Sequence, residues 1–183
     1  MAMAEAELAR FIDRNTIEYV RVYSHPIERV WRAIADPAEI SIWFWTAKFD
    51  LRIGGAYEFG GERSELKGVI TALDPPRLIR FGGPEPHGKD GYMQFELNAV
   101  GRGTRMVFTQ HSTPGFFYKP EWPADPADHP AGGRNPWRPG TLSGWHVSFD
   151  HLGDLIDGST PSERMPESEL RKIYREHMRT TQP

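Results

Sequence analysis

The sequence predicts an α+β domain in which a curved antiparallel β-sheet wraps around a long C-terminal helix, with two short helices after the first strand. The central part of the chain alternates apolar and polar residues with a period of two, as β-strands do. A stretch near the C-terminus carries a single apolar stripe with helical spacing. Burial of this stripe requires a large apolar partner, and the inner faces of the strands provide it.

The composition excludes several classes of protein. The chain has 183 residues, which suits one domain, and a formal net charge of −3, which gives no electrostatic footprint for nucleic acid. No apolar run approaches the ~20 residues that a membrane helix needs. The first residues mix acids into the apolar positions, unlike a signal peptide. Because the chain has no cysteine, disulfides and thiolate chemistry are excluded, and a cytoplasmic location is expected.

The N-terminal part begins with a predicted helix over about residues 4–12, which places Leu8, Phe11 and Ile12 on one side. The stretch NTIEYVRVYSH, rich in β-branched residues and tyrosine, predicts the first strand. The expected domain organisation is a helical extension over 1–14, one domain over 15–158 and a second helical extension over 159–183.

Two short helices follow the first strand. Pro26 suits the first turn of a helix, and the residues after it form an apolar stripe. Asp36, Pro37 and Glu39 have the spacing of an N-cap, a first-turn proline and a capping-box acid, which predicts a second helix. That helix ends near three adjacent aromatic residues at 43–45, which cannot all face one core.

A run of strands covers the next part of the chain. In KFDLRIGG the apolar residues Phe49, Leu51 and Ile53 share one face, and Gly54-Gly55 predicts a hairpin. A third strand ends at the proline pair 75–76, and RLIRFGG forms a fourth. The clearest hairpin joins GYMQFELNAV to TRMVFTQHS through GRG. This alternation predicts that Tyr57 and Phe59 face inward and that Glu58 faces solvent.

Residues 113–140 interrupt the strand pattern with seven prolines and five aromatic residues. Loops of this length in a compact domain are usually functional or disordered, and the aromatic residues argue against disorder. We expect this segment to be a lid that its aromatic side chains anchor to the domain.

The segment GTLSGWHVSFDHLGDLIDG predicts the long helix. On a helical wheel its apolar residues fall within roughly 80° of one another; they are Leu142, Trp145, Phe149, Leu152 and Ile156. His146 lies on the flank of this stripe and His151 points away from it, so the two histidines cannot share a metal ion. After a joint rich in Ser, Thr, Pro and Gly, the segment PESELRKIYREHM predicts a final helix.

Six short motifs occur in an order that resembles a known family: PIERVW at 26–31, DP…WF at 36–44, GG-x-Y-x-F at 54–59, LDPPRLI at 73–79, G-x-G-T-R-M at 101–106 and GW at 144–145. Together they resemble the START-like SRPBCC superfamily, in the branch of homologues of the activator of heat-shock protein 90 ATPase. The resemblance covers about residues 15–157. It implies the helix-grip fold, with an apolar cavity between the sheet and the last helix.

The candidate ligand-binding residues are those that strand parity, helix face or position at the cavity mouth directs toward that cavity. They are Trp43, Trp45, Phe49, Leu51, Phe95, Leu97, Met106, Phe108, Gln110, Trp145, His146 and Phe149. Gln110 and His146 are the two polar members, each with a structural alternative: an edge position for Gln110, and a flank histidine bonded to solvent or backbone for His146. Ligand sites commonly have volumes of roughly 300–1,000 Å³, and we expect a cavity in this range.

Three functions are compatible with these residues. The first is a small-molecule binding domain for a hydrophobic or aromatic ligand, as the superfamily implies. The second is an enzyme resembling polyketide cyclases or aromatases, which would need inward acid–base groups that the pattern does not show. The third is a co-chaperone of heat-shock protein 90. The sequence favours the first. It shows no phosphate-binding loop, no metal-ligand cluster and no sign of another cofactor. A homodimer through the two terminal helices is an alternative to a monomer.

Overall fold

The computed structural model describes residues 8–61, 64–83, 89–114, 116–117, 139–160 and 165–180. Within these ranges the chain forms eight strands and four helices. The strands are β1 Arg10–Asp13, β2 Thr16–Tyr23, β3 Ala47–Phe49, β4 Ala56–Gly61, β5 Ser64–Asp74, β6 Leu78–Gly82, β7 Tyr92–Val100 and β8 Gly103–His111. The helices are α1 Ile27–Ala35, α2 Pro37–Trp43, α3 Pro139–Asp157 and α4 Glu167–Thr180. No helix within these ranges is long and apolar enough to cross a lipid bilayer.

The strands form one antiparallel sheet in the order β1-β2-β8-β7-β6-β5-β4-β3. From β3 to β8 each strand pairs with the next one in the chain, whereas β2 pairs with β8, so that Thr16 lies opposite His111. The side chains alternate as predicted: Tyr57 and Phe59 are buried, and Glu58 between them is exposed. The predicted α+β class with an antiparallel sheet around a C-terminal helix is therefore confirmed.

Both short helices form where the proline and aspartate signals place them. Asp36 is the N-cap of α2, and its side chain accepts a hydrogen bond from the backbone N–H of Ala38 at 2.9 Å. Glu39 does not complete a capping box. Its carboxylate forms ion pairs with Arg29 and Arg32, both at 2.6 Å, and so joins α2 to α1.

The apolar stripe of α3 is the centre of the core. All five of its predicted members are buried against the sheet; they are Leu142, Trp145, Phe149, Leu152 and Ile156. Tyr19 of β2 packs edge-on against Phe149, with ring centroids 5.3 Å apart, and its hydroxyl donates a hydrogen bond to the carbonyl of Leu142 at 2.6 Å. The sheet and α3 are thus joined by both packing and hydrogen bonding.

The predicted helix over residues 4–12 is wrong for the part that the structure describes. Arg10–Asp13 form strand β1, and Phe11 pairs with Ile17 of β2; residues 1–7 lie outside the described ranges. Pairing with the free edge of β2 overrides the weak helical periodicity of a segment this short.

The strand predicted over residues 48–53 is shorter than expected. β3 ends at Phe49, and the backbone then turns, with Asp50 bonded to Ala56 and Gly55 bonded to Arg52. Leu51 lies in this turn and is 42% exposed. Its predicted inward direction is therefore wrong, because strand parity applies only while the backbone remains extended.

Helix α4 forms as predicted and packs against α3, with Leu170 and Tyr174 buried. Both β1 and α4 contribute to the same core, and the predicted domain boundaries at 14 and 158 stay a prediction. In the proline-rich segment, Phe117 is fully buried and Phe116 packs against it at 5.0 Å. The rest of the predicted lid, with Tyr118, Trp122 and Trp137, lies outside the described ranges.

Candidate functional site

The space between the sheet and α3 is almost completely filled. Its volume is about 10 Å³, enough for roughly one water molecule. The residues that line it are all apolar: Ile40, Trp43, Phe44, Phe59, Phe81, Met93, Phe95 and Trp145. Among the described residues this space is far smaller than the predicted cavity of roughly 300–1,000 Å³, whereas its predicted place and apolar character are found.

Aromatic rings fill this space in edge-to-face, tilted and stacked pairs. Phe59 meets Phe81 with centroids 4.9 Å apart, and Phe95 meets Phe108 at 4.9 Å. Trp145 from α3 reaches the same layer and lies 4.3 Å from Phe108. Strand parity indicates the direction of these side chains, but the remaining volume depends on how the rings interlock, which the alternation of residues does not encode.

The predicted site residues have four different positions. Trp43, Phe95 and Trp145 line the residual space. Others are buried in the core around it; they are Leu97, Met106, Phe108, Gln110, His146 and Phe149. Phe49 is half-buried at the β3 edge and stacks edge-on against Phe81 at 5.6 Å. Trp45 is 40% exposed and Leu51 is in the turn after β3.

Five lining residues were not among the predicted site residues; they are Ile40, Phe44, Phe59, Phe81 and Met93. The parity of Phe59 and Met93 places both inward, so the sequence did contain the signal for these two. Phe44 follows the last residue of α2, where neither helical nor strand periodicity applies.

Gln110 points inward, as its parity with Phe108 predicts, and both ends of its amide contact protein groups. Its Oε1 accepts a hydrogen bond from Trp145 Nε1 at 2.6 Å, and its Nε2 donates to Ser112 Oγ at 3.5 Å. These bonds fix the indole of Trp145 in position. The oxygen and the nitrogen of the buried amide therefore each have a protein partner.

His146 is buried on the side of α3 that faces β2 and α4. Arg21 donates to its Nδ1 at 3.3 Å, and the Tyr174 hydroxyl lies 2.9 Å from the same nitrogen. Because a guanidinium can only donate, Nδ1 is an acceptor, which places the proton of the neutral ring on Nε2, 3.9 Å from Asp150 Oδ1. His146 thus lies in a polar cluster with Arg21, Tyr174 and Asp150, below α4 where it packs on α3. It is not among the residues that line the apolar space.

Four buried tyrosines have raised pKa values because burial disfavours the phenolate. Burial raises the pKa of Tyr174 to about 12, and it raises the pKa values of Tyr19, Tyr23 and Tyr57 well above their usual range. The Tyr57 hydroxyl has no hydrogen-bond partner among the described residues. These phenols are neutral near pH 7 and can act there only as hydrogen-bonding groups.

A second, open cleft of about 720 Å³ crosses β3, β4 and β5 at the edge of the sheet. Lys48, Glu58 and Lys67 are opposite one another on adjacent strands and give it a row of alternating charge. Its remaining lining residues are Phe49, Asp50, Ala56, Tyr57, Gly68 and Val69. This cleft is shallow and charged, in contrast to the apolar space beneath α3.

An antiparallel sheet that holds a C-terminal helix over an apolar interior is the architecture of the START-like SRPBCC class. The family model described as "Activator of Hsp90 ATPase homolog 1-like protein" matches residues 24–157, and the chain belongs to this family. No curated protein matches the chain.

Several solved structures share the fold. CalU16 from Micromonospora echinospora is 23% identical over 91% of this chain and 87% of its own, with a TM-score of 0.63. A conserved protein of unknown function from Enterococcus faecalis is 16% identical over 96% of this chain and 91% of its own, with a TM-score of 0.70. The Aha1 dimer from Colwellia psychrerythraea is 16% identical over 77% of this chain and 95% of its own, with a TM-score of 0.57. At these identities the likeness establishes the fold alone.

Proposed function

We propose that the protein binds a hydrophobic or aromatic small molecule in the space between the sheet and α3, and that this space opens when the ligand enters. The observation that carries the proposal is the lining, which consists of eight apolar residues with no charged side chain among them. Ligand sites in proteins are mostly apolar, and the superfamily resemblance implies a cavity at this position.

The closed state has a consequence for affinity. If the open conformation is a minor one, the apparent dissociation constant rises by the inverse of its population. A ligand must therefore recover the cost of separating the rings through its own contacts with them. This favours ligands that are themselves apolar and aromatic.

Calorimetric titration with 1-naphthol, a neutral aromatic probe, tests the proposal. We expect saturable binding of one molecule per chain. Met93→Phe adds a ring to the residual space and should weaken binding at least tenfold, whereas Val69→Ser in the open cleft should leave it unchanged. Absence of saturable binding to the folded wild-type protein, or equal binding by the Met93→Phe variant, would contradict this assignment.

The alternative of an enzyme resembling polyketide cyclases has less support. Catalysis in the apolar space would need acid–base groups there, whereas Gln110 is bonded to Trp145 and His146 to the cluster below α4. Product analysis of the titrated ligands distinguishes the two functions. Turnover that is lost in the His146→Ala variant would assign the protein to the enzymes.

The family description and the Aha1 structure favour a protein-binding role as a second candidate. One relative was solved as a dimer, so a homodimer is also proposed for this chain. Light scattering on the purified protein gives the oligomeric state. Capture of purified heat-shock protein 90 by the chain, without saturable ligand binding, would favour the co-chaperone function over the small-molecule site.

A further inference from the structure

Four aromatic rings form a nearly parallel stack that runs from the protein surface into the core. The rings of Trp45 and Phe44 are stacked, with centroids 4.8 Å apart and an angle of 13° between their planes. The centroid distance between Phe44 and Trp145 is 4.7 Å, and the angle between their planes is also 13°. Trp145 continues the stack to Phe149 at 5.4 Å and 18°. Exposure falls along the stack from 40% at Trp45 to 1% at Phe149.

Phe44 is held in this stack by ring contacts and is only half-buried, whereas the phenyl ring of Phe149 is 1% exposed. The indole of Trp145 is fixed by its hydrogen bond to Gln110, and that of the neighbouring Trp43 by a bond from Nε1 to the Ala33 carbonyl at 2.9 Å. A phenyl ring has no polar atom for such a bond. Phe44 is half-buried and follows the last residue of α2, so a rotation of its side chain disturbs no helix or strand.

The place that the Phe44 ring occupies has the shape of a slot one ring thick. Its two faces are Trp45 and Trp145. Trp43 at 5.6 Å and Phe59 at 6.0 Å, both from the Phe44 centroid, enclose its sides. Phe44 also lines the residual space beneath α3. Movement of this one ring therefore joins that space to the surface beside Trp45.

We propose that Phe44 occupies the binding slot of a planar, uncharged aromatic ligand, which displaces the Phe44 ring from between Trp45 and Trp145. This inference rests on the proposed small-molecule function and specifies its ligand class. The slot selects a flat molecule because its faces are parallel rings, and a neutral one because its lining has no group to compensate a buried charge.

A pair of probes with the same carbon skeleton tests the selection for planarity. The planar probe is 1-naphthol and the non-planar probe is decahydro-1-naphthol. In the Phe44→Ala variant the slot is already empty, so we expect 1-naphthol to bind at least tenfold tighter than to the wild type. Decahydro-1-naphthol should gain less than threefold, because it is too thick for the slot.

Ile42→Ala is the matched control, because Ile42 is an exposed apolar residue of α2, two positions before Phe44. This variant should bind both probes as the wild type does. Trp45→Ala removes one face of the slot and should weaken 1-naphthol binding at least fivefold. If the Phe44→Ala variant does not fold, as judged by circular dichroism, Phe44→Leu replaces the flat ring with a smaller side chain and should also bind 1-naphthol more tightly.

The outcomes separate this inference from the proposed function. If the wild type binds 1-naphthol and the folded Phe44 variants bind it no more tightly, the ligand does not occupy the place of the Phe44 ring. The small-molecule function would then remain, with the ligand bound elsewhere. Binding by the Phe44 variants alone would support the slot and contradict the function of the wild-type protein. Equal gains for the two probes would overturn the selection for planar ligands.

Discussion

At the scale of single residues, Trp145 contacts side chains from several different elements of the core. Its indole stacks on Phe44 and Phe149, packs against Phe108 and donates a hydrogen bond to Gln110. Truncation of a large buried aromatic residue leaves a void and unpaired neighbours.

We expect Trp145→Ala to lower the free energy of unfolding by about 3–5 kcal/mol, as for other large-to-small core changes. Urea denaturation measures this effect. The matched variant Trp145→Phe keeps a ring but removes the hydrogen bond that Gln110 Oε1 accepts from the indole, at a cost of about 1–3 kcal/mol. Adding Gln110→Leu to it should recover part of that loss. An unfolding transition of Trp145→Ala equal to that of the wild type would show that α3 is not part of the core.

Two glycines should respond oppositely to the same substitution. A Cβ at Gly144, within α3, meets nothing within 4 Å, so Gly144→Ala should stabilise the protein by about 0.5–1 kcal/mol through helix propensity. A Cβ at Gly68 would lie 2.1 Å from the Gly82 carbonyl oxygen and 3.0 Å from Tyr57 Cε1. Backbone must then move, and we expect Gly68→Ala to destabilise the protein by about 1–3 kcal/mol. Thermal melts of both variants give the signs, and a stabilised Gly68→Ala would contradict this packing.

At the scale of elements, α4 is held to α3 by the Tyr174 hydroxyl, which lies 2.9 Å from His146 Nδ1 and accepts a hydrogen bond from the Ala9 backbone at 3.3 Å. The same atom therefore joins α4, α3 and the residues just before β1. This explains why both terminal segments belong to the core, although the sequence marks them only as extensions.

Tyr174→Phe should lower the free energy of unfolding by about 1–3 kcal/mol, because it removes the hydrogen bonds that the Tyr174 hydroxyl makes with the Ala9 backbone N–H and with His146 Nδ1. Amide hydrogen exchange in α4 should become faster. Tyr57→Phe is the control, since the Tyr57 hydroxyl has no partner among the described residues and its loss should be neutral or stabilising. Equal effects of the two substitutions would mean that the hydrogen bonds of Tyr174 contribute nothing.

The elements differ in how far the sequence predicts them. Helix α3, of 19 residues, is predictable because its apolar stripe runs from Leu142 to Ile156. Strands β7 and β8 are predictable because each alternates over nine residues on either side of a glycine turn. Strand β1 is not predictable in this way, because its four residues are too few to show a periodicity. Its strand conformation depends on pairing with the edge of β2. Leu51 shows the same limit, since the end of β3 is decided by turn hydrogen bonds and not by alternation.

At the scale of the whole molecule, the sequence predicts which side chains face the candidate site but not the volume of that site. Parity and helix face place Phe95 and Trp145 toward the interior, where they are found. Whether such rings leave a cavity depends on the joint packing of at least three elements. The position of Phe44 between two tryptophans is a case in point, because it follows from the way α2 ends and not from any repeat.

The buried tyrosines make the stability of the whole domain sensitive to alkaline pH. Each has a pKa in the folded state above its unfolded value near 10, so above that pH the folded state holds more protons. Their contribution to stability is complete below pH 10 and is lost as the pH rises through the folded pKa, which is about 12 for Tyr174.

We therefore expect the free energy of unfolding to fall between pH 10 and 12, by up to about 1.4 kcal/mol per pH unit for each such tyrosine. Urea denaturation at several pH values measures the slope, and Tyr174→Phe should reduce it. Absorbance at 295 nm should show fewer tyrosines titrating near pH 10 in the folded than in the unfolded protein. A constant stability over this interval would contradict the burial of these hydroxyls.

The order of the strands also determines when the domain can form during synthesis. β2 emerges early, yet its inner partner is β8, and the paired residues Thr16 and His111 are 95 positions apart. Closing so long a loop before any contact compensates for it makes folding slow. β8 must be synthesised before the rest of the sheet can pair with β2. α3 must also be synthesised before the sheet can pack around it. Until then the edge of β2 that pairs with β8 has no partner and can pair with other chains, which makes this stage of synthesis prone to aggregation.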